Sequence, residues 1–250
     1  MVYTADRGFL EEKQMKLTLM SYNVQHFQNF LTKEIDFGKI AEVIRCYDAD
    51  IIGLNEVRNQ GEREDYQAQA RILAEILGYH FYFAKAIDVD GPNPYGNALL
   101  SRFPILSAQT VMIPDPEVPK IPEGYYETRC LLKAKIDVPG GLNVCVTHFG
   151  LNPDEQENAA AVVLENIEEK RCVLMGDFNI TPENELLKPI RERMYDTAQL
   201  MDADVKSWPS DIPEMKIDYL FTSSDLKVIS AEITAVLESD HRPYVVVTEI

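Results

Sequence analysis

Short apolar runs alternate along the chain with stretches in which apolar residues recur at a helical period. Many of the short runs are rich in β-branched and aromatic residues, which is typical of buried strands. Ten such runs within one domain favour two β-sheets over one. The ten predicted strands are Lys16–Tyr22, Asp50–Leu54, His80–Ala84, Ala98–Ser101, Arg129–Ile136, Leu142–Thr147, Cys172–Met175, Ile217–Thr222, Leu226–Val236 and Tyr244–Thr248.

Three other segments have the spacing of amphipathic helices. Apolar residues fall at i, i+3, i+4 and i+7 from Ile40 and again from Ala160, so each of these two helices should bury one face. A third helix is predicted over Gln67–Leu77, with Ile76 on its apolar side. It should end at Gly78, because glycine is a favoured residue at a helix C-terminus.

The segments between these elements contain further signals. Thr181-Pro182 has the pattern of an N-cap followed by proline at the first helical position, which predicts a short helix beginning there. The longer loops Ile87–Tyr95 and Ile113–Tyr125 are rich in proline, glycine and aspartate. Loops of this length are either functional or mobile, and these two are candidate walls of a substrate cleft.

The domain organisation follows from length and hydropathy. The 250 residues are compatible with one α/β domain. Residues 1–14 are polar and charged, and we predict that they form an extension in front of a single domain over residues 15–250. No apolar stretch has the length of a signal peptide or a membrane-spanning helix, so we expect a folded, cytoplasmic protein.

The charge balance bears on possible partners. The net charge is −17, from 41 acidic and 24 basic residues, and the basic residues form no cluster in the sequence. Non-specific affinity for nucleic acid should therefore be weak. A local cationic patch or a bound metal could still bind DNA, so the charge disfavours a nuclease without excluding one.

The cysteines offer no metal-binding pattern. They are far apart, lie in apolar stretches and show no CxxC spacing, so we interpret all four as reduced thiols of the core. They are Cys46, Cys130, Cys145 and Cys172.

Polar residues with catalytic or metal-ligand chemistry follow one predicted strand after another. Each of them alone is most simply a turn former. Together they comprise four carboxylates, two histidines and two asparagines, which would repel one another at a single rim unless a cation intervened. A hard divalent ion is the simplest resolution. These residues are Asn23, Glu56, His148, Asp177, Asn179, Asp218, Asp240 and His241.

Two short motifs sharpen this interpretation. In GDFN, Asp177 and Asn179 are two residues apart and would point the same way from an extended segment, while Gly176 would allow a close turn of the backbone. In SDH, a carboxylate and an imidazole are neighbours and could supply a metal ligand and an acid or base.

The ordered series of motifs resembles that of the endonuclease/exonuclease/phosphatase superfamily. The resemblance extends from Ser21 to Pro243. It implies an α/β (α+β) four-layer sandwich, in which two packed mixed β-sheets are flanked by helices as in deoxyribonuclease I. The motifs are SYNVQ, NEV, YGNALLSRFPI, ETR, THFGL, GDFN, IDY and SDHRP.

The resemblance also implies a metal site for Mg²⁺ or Mn²⁺. Glu56 would be the principal ligand, Asn23 would lie nearby, and Asp240 would join from the opposite side. The residue before Glu56 is Asn55, where many relatives have glutamine, and this conservative change leaves the predicted ligand in place.

The remaining motif residues receive catalytic roles from the resemblance. Asp218 would orient His241 and raise its basicity, and Asp177 and Asn179 would position the attacking water and bind a phosphate oxygen. His148 would stabilise the transition-state charge or protonate the leaving oxygen. Either His241 or Asp177 could be the base.

Three further residues are expected to contact substrate. Tyr95 and Asn97 match a phosphate-contacting position of relatives. Arg129 could bind a phosphate, although an ion pair with Glu127 is an equal alternative.

These expectations define the predicted function. The leading hypothesis is a metal-dependent hydrolase acting on a small or lipid-derived phosphodiester or phosphomonoester, and the alternative is a nuclease acting on DNA or RNA. A catalytically silent binding module is disfavoured because the motifs are intact. His26, His80 and Trp208 lie outside the motifs and are expected to be structural.

Overall fold

The structure, a computed structural model, describes residues 15–202 and 204–250. The predicted polar extension at residues 1–14 lies outside the described residues. The strands are β1 Lys16–Asn23, β2 Ile51–Arg58, β3 His80–Asp88, β4 Pro94–Ser101, β5 Ile105–Met112, β6 Cys130–Ile136, β7 Leu142–His148, β8 Cys172–Asp177, β9 Tyr195–Asp196, β10 Asp218–Thr222, β11 Lys227–Ile233 and β12 Tyr244–Glu249. The helices are α1 Phe37–Cys46, α2 Gln69–Leu77, α3 Pro153–Asn166 and α4 Lys188–Arg193, with 3₁₀ turns at Gln25–Phe27, Glu185–Leu187 and Thr197–Leu200.

The strands form two six-stranded sheets, as the apolar runs predict. The order is β11-β12-β1-β2-β4-β3 in the first sheet and β5-β6-β7-β8-β10-β9 in the second. In each sheet one central pair is parallel, β1 with β2 and β7 with β8, and the other pairs are antiparallel. Both sheets are therefore mixed.

Central strands are apolar on both faces because each sheet packs against the other sheet on one face and against helices on the other face. In β1, Leu17 and Leu19 belong to a cluster shared by the two sheets, whereas Met20 and Tyr22 pack in a cluster that includes residues of α1 and α2. The second sheet packs in the same way against α3 and α4. The layers run helix, sheet, sheet, helix, which confirms the predicted sandwich.

The predicted end of α2 at Gly78 agrees with the structure, and the start of α3 has a recognisable cap. Gly78 ends α2 in a left-handed conformation with φ of 74°. At the start of α3, the Asn152 side chain and Glu155 form a capping box, in which Glu155 Oε2 accepts from the Asn152 backbone nitrogen at 3.1 Å. Within the described residues, no helix has the length and apolarity needed to cross a membrane.

The prediction of a helix beginning at Thr181-Pro182 is wrong. The α-helix α4 starts at Lys188, after a 3₁₀ turn that Asn184 caps by accepting from the Leu186 backbone nitrogen at 3.0 Å. Pro189 is the second residue of α4. Two possible capping side chains, Thr181 and Asn184, lie three residues apart in this segment, and the chain uses Asn184.

Two expectations about burial are also corrected. Cys46 is exposed, unlike the other three cysteines, because it falls outside the buried stripe of α1 that contains Ile40, Val43 and Ile44. All four cysteines are free. Ile76 is 39% exposed, since the buried face of α2 is formed instead by residues that include Ala70, Leu73 and Ala74.

Two strands have no counterpart among the predicted ten. β5 is the edge strand of the second sheet, and its residues are half-buried or exposed, so no apolar run marks it. β9 has only two residues and pairs with the end of β10.

Candidate active site

Five strands, two in the first sheet and three in the second, bring the predicted polar residues to one rim. In the second sheet, His148 on β7 pairs with Asp177 on β8, and Asp177 pairs with Asp218 on β10. In the first sheet, Asn23 on β1 pairs with the residue before Glu56 on β2. The packed sheets place these two sets together, as the hydrogen bond from Asn23 Nδ2 to Asp177 Oδ2 shows.

A cavity of about 640 Å³ opens at this rim. Its walls also contain Val89 and Tyr125, one from each of the two long loops that the sequence predicts as walls. Of the eleven predicted site residues, Asn23, Asn97 and Asp218 lie beneath the cavity and are fully buried. The other eight line it: Glu56, Tyr95, Arg129, His148, Asp177, Asn179, Asp240 and His241.

Glu56 owes its position to a bulge in β2. The register of β2 against β4 shifts there, and Glu56 adopts a left-handed backbone with φ of 59°. Asn23 Nδ2 donates to Glu56 Oε1 at 3.0 Å and to Asp177 Oδ2 at 3.1 Å. The Asn23 Oδ1 accepts from the Gln25 backbone nitrogen at 3.2 Å. Asn23 therefore links two carboxylates that belong to different sheets.

The chemistry of Asp240 and Glu56 fits a divalent cation. Burial raises the pKa of Asp240, the positive His241 opposes this rise, and the negative charge of Glu56 adds to it. Two carboxylates that interact in one cavity repel each other unless a cation or a proton lies between them. Oxygen ligands of this kind suit hard ions such as Mg²⁺ and Mn²⁺.

His241 lies between two buried carboxylates. Its Nδ1 donates to Asp218 Oδ2 at 2.9 Å, and its Nε2 lies 3.5 Å from Asp177 Oδ2. Burial lowers the pKa of His241, but the charges of Asp218 and Asp177 outweigh burial and raise this pKa to about 10. Burial raises the pKa of Asp177 to about 7, and the positive charge of His241 opposes that shift. At neutral pH the shared proton therefore resides on His241.

This proton makes a testable contribution to stability in the metal-free protein. Folded His241 keeps a proton up to pH about 10, whereas an unfolded histidine releases it near 6.5. The stabilisation is thus complete below pH 6.5 and is lost as pH rises toward 10, with a limiting slope of about 1.4 kcal/mol per pH unit. We expect urea denaturation in EDTA between pH 7 and 9.5 to give a flatter pH dependence for the double variant Asp177→Asn/His241→Gln than for Asp177→Asn, because the carboxyl that titrates with His241 is absent from both. Equal slopes would contradict the assigned protonation.

His148 is held in one tautomer by Arg129. Arg129 Nη1 donates to His148 Nδ1 at 3.0 Å, and a guanidinium has no acceptor, so the neutral ring carries its proton on Nε2. Burial lowers the pKa of His148, and the charges of Arg129 and His241 lower it further. Arg129 also pairs with Glu127 at 2.7 Å, the ion pair that the sequence left open. His148 thus presents a neutral N–H group 3.6 Å from Asp177 Oδ2. Asn179 Nδ2 lies 3.2 Å from the same nitrogen but is itself a donor, and it donates to the Phe149 carbonyl at 3.0 Å.

Gly176 allows β7 and β8 to approach closely at the GDFN motif. Its φ is 147°, and a Cβ atom there would lie 1.9 Å from the Thr147 carbonyl oxygen. Gly176→Ala should therefore destabilise the fold by clearly more than the roughly 1 kcal/mol of an unclashed left-handed alanine. Gly78→Ala is the matched control, because Gly78 is left-handed with nothing within 4 Å of its added Cβ. Thermal or urea denaturation of both variants tests this, and equal losses would contradict it.

A comparison with protein-family models identifies the family that matches this chain. The model of the Endonuclease/Exonuclease/phosphatase family matches residues 20–241. The chain belongs to this family. A comparison with curated proteins finds no match.

Solved structures share the fold of the family. A Beutenbergia cavernae endonuclease/exonuclease/phosphatase is 24% identical with a TM-score of 0.80, over 94% of this chain and 72% of that one. A mannosyl-6-phosphatase of Bacteroides thetaiotaomicron is 19% identical with a TM-score of 0.71, over 92% and 98%. ANGEL2, a 2′,3′-cyclic phosphatase, is 17% identical with a TM-score of 0.71, over 95% and 96%.

One of the three predicted substrate-contacting residues, Asn97, does not line the cavity. Asn97 accepts from Asn55 Nδ2 at 2.9 Å and donates to the Cys130 carbonyl at 2.9 Å, so its amide links the sheets instead of facing solvent. Asn55 also donates to the Thr147 carbonyl at 2.8 Å and accepts from the Asp177 backbone nitrogen at 3.0 Å. The Asn55 side chain therefore fixes Asp177 from the opposite sheet, a role that the sequence does not reveal.

His26 and Trp208, which the sequence predicts to be structural, also line the cavity. His26 follows β1 and contacts Glu56, and Trp208 lies with its ring centroid 6.5 Å from that of His241. The expectation that His26 is only structural is therefore incomplete, because its ring lines the cavity. His80 is exposed at the start of β3. The only sequence signal for His26 is its position three residues after Asn23.

Proposed function

We propose that the protein is a divalent-metal-dependent phosphoesterase that hydrolyses a phosphodiester or phosphomonoester of a small or lipid-derived molecule by in-line attack of water. The observation that carries this proposal is the convergence of Glu56, Asp240 and the Asp218–His241 pair on one cavity. Family membership supports hydrolysis of a phosphate ester.

Glu56 and Asp240 are the proposed metal ligands, with Asn23 holding Glu56 in place. When bound there, Mg²⁺ or Mn²⁺ would neutralise a phosphate oxygen and the charge that develops on the leaving group. Asp177, Asp218 and His241 also offer ligand atoms within 4.8 Å of one another. The 2.9 Å between His241 and Asp218 is a hydrogen-bond length, so we assign this second group to proton chemistry instead.

The protonation states favour Asp177 as the base. His241 already carries a proton at neutral pH, and it would act as a positive hydrogen-bond donor to the phosphate. A pKa of about 7 suits Asp177 to accept a proton from water. His148, held neutral by Arg129, would donate its Nε2 hydrogen to a phosphate oxygen, and Asn179 would bind the same group.

The size and walls of the cavity support a compact anionic substrate. A volume of about 640 Å³ is in the range of small-molecule sites. Arg58 and Arg63 border the cavity, and both guanidinium groups lie over the ring of Tyr66, 4.9 and 5.3 Å from its centroid. The similar folds of a mannosyl-6-phosphatase and a 2′,3′-cyclic phosphatase agree with this substrate class.

A nuclease is the second candidate, because Arg58 and Arg63 border the cavity. Both arginines pair with Asp65, at 2.9 and 3.0 Å, so they form no net cationic patch for a nucleic-acid backbone, and the nuclease therefore ranks second. Cytoplasmic residence stays a prediction from the sequence.

A paired assay separates the two functions. We expect Mg²⁺- or Mn²⁺-dependent hydrolysis of p-nitrophenyl phosphate or bis-p-nitrophenyl phosphate, abolished by EDTA, and little nicking of supercoiled plasmid. Efficient nicking with little hydrolysis of the small esters would favour the nuclease. Activity that survives EDTA treatment would refute metal dependence.

A further inference from the structure

The first turn of α3 packs behind the two turns that carry the proposed phosphate donors, His148 and Asn179. One turn follows β7, which ends at His148, and the other follows β8 and contains Asn179. Gly150 allows the close contact, because a Cβ atom there would lie 2.4 Å from Glu155 Cδ and 2.6 Å from Glu155 Cβ. The capping box holds Glu155 in this place. The start of α3 therefore supports both turns.

Gln156 joins the two turns through one amide group. Its Nε2 donates to the Gly150 carbonyl at 3.1 Å and to the Asn179 carbonyl at 3.2 Å. The residue is only 7% exposed, and a buried carbonyl that loses its donor costs free energy. Both hydrogens of this amide therefore hold backbone on opposite sides of the β7 and β8 ends. Gln156 lies in none of the sequence motifs.

The backbone of Asn179 depends on such support. Its φ is 51°, a left-handed conformation that costs energy even for asparagine and persists where the surroundings fix it. The Asn179 nitrogen donates to Asp177 Oδ1 at 2.9 Å, and its Nδ2 donates to the Phe149 carbonyl at 3.0 Å. These two bonds stay within the strand-end turns. The bond from Gln156 to the Asn179 carbonyl ties the turn to the helix.

The residue next to Gln156 supports the other donor. Glu155 Oε1 accepts from the Glu127 backbone nitrogen at 3.1 Å. Glu127 pairs with Arg129 at 2.7 Å, and Arg129 donates to His148. Consecutive residues of α3 thus reach both donors, Glu155 through a chain of side chains and Gln156 directly through the backbone.

We propose that Gln156 is a positioning residue for phosphate-ester hydrolysis, which holds the turns of His148 and Asn179 so that their N–H groups meet the charge that develops on the phosphate. The inference rests on the proposed function, which assigns these two side chains to the phosphate. Gln156 itself does not line the cavity, so it acts only through the turns that it holds. A displacement of about 1 Å in such preorganised donors can slow a reaction by about 10²-fold.

Two substitutions of Gln156 in the full chain test the proposal. Gln156→Met keeps an unbranched side chain but removes both donors, and Gln156→Glu points a carboxylate at two carbonyls. We expect each variant to lower kcat by about 10- to 100-fold and to change KM by less than about 3-fold, because the lost interaction is one made in the transition state. Steady-state hydrolysis of p-nitrophenyl phosphate or bis-p-nitrophenyl phosphate at saturating Mn²⁺ measures both constants.

Thr197→Val is the control for a loss of stability alone. The Thr197 hydroxyl is equally buried, contacts the Leu220 carbonyl at 2.6 Å and the Tyr244 hydroxyl at 2.7 Å, and does not line the cavity. Urea denaturation should show that this variant is destabilised as the Gln156 variants are. Its kcat should stay that of wild type.

A double variant tests whether Gln156 acts through its neighbours. Asn179→Gly removes one donor and accepts the left-handed backbone. We expect Gln156→Met/Asn179→Gly to lose clearly less activity than the product of the two single losses, because part of what Gln156 positions is already absent.

Three results would overturn the proposal: folded Gln156 variants with wild-type kcat, a fall in kcat that Thr197→Val reproduces, or single losses that multiply fully in the double variant. Failure of both Gln156 variants to fold would also overturn it, since the residue would then be structural. If wild type shows no metal-dependent hydrolysis, the proposed function itself fails, which is a different result.

Discussion

Glu56→Gln is expected to lower kcat/KM for phosphate-ester hydrolysis by at least about 10³-fold, which corresponds to about 4 kcal/mol of transition-state stabilisation. The substitution removes one negative charge but keeps the size of the side chain and a carbonyl oxygen that can still accept from Asn23 Nδ2. Stability should change little, because the left-handed backbone at Glu56 is imposed by the bulge. Steady-state kinetics at saturating Mg²⁺ or Mn²⁺ measures the loss.

Glu42→Gln provides the matched control, since Glu42 is exposed on α1 and far in sequence from every predicted ligand. It should leave kcat/KM unchanged. Wild-type activity in Glu56→Gln that remains sensitive to EDTA would show that another group holds the metal.

His241→Gln is expected to lower kcat by about 10² to 10⁴-fold with a smaller effect on KM. The variant loses the positive donor that Asp218 and Asp177 stabilise, and it leaves Asp218 without its partner at 2.9 Å. Losing the neighbouring cation should also raise the pKa of Asp177, because His241 lowers that pKa in the folded protein. The residual activity should therefore reach its plateau at higher pH than that of wild type.

A pH profile of kcat for His241→Gln, wild type and the control His80→Gln checks both the expected fall in kcat and the expected shift of the plateau to higher pH. A wild-type rate, or a lowered rate with an unmoved pH profile, would contradict the assigned coupling between His241 and Asp177.

The fold could be predicted well where a strand is buried on both faces. β1 and β7 are nearly continuous apolar runs because the other sheet covers one side and helices cover the other. β5 is an edge strand without such a run, so it was not predicted. The start of α4 was misplaced because Thr181-Pro182 has the local pattern of a cap, and only the folded chain shows that Asn184 is used.

Candidate residues could be predicted where a polar side chain ends a strand, as at Asn23, His148 and Asp177. Contacts between the sheets could not be predicted, because no spacing in the sequence indicates that Asn55 accepts a hydrogen bond from the Asp177 backbone nitrogen. The position of His26 depends on three left-handed residues, a backbone conformation that these side chains do not encode.

The central claim is that Glu56 and Asp240 together hold one divalent cation. A crystal structure of protein soaked in Mn²⁺ and phosphate, with anomalous differences recorded for manganese, tests it directly. We predict a manganese peak at about 2.0–2.3 Å from carboxylate oxygens of both residues, with phosphate beside it. A peak held instead by Asp177, Asp218 and His241, or no peak in the cavity, would contradict the claim.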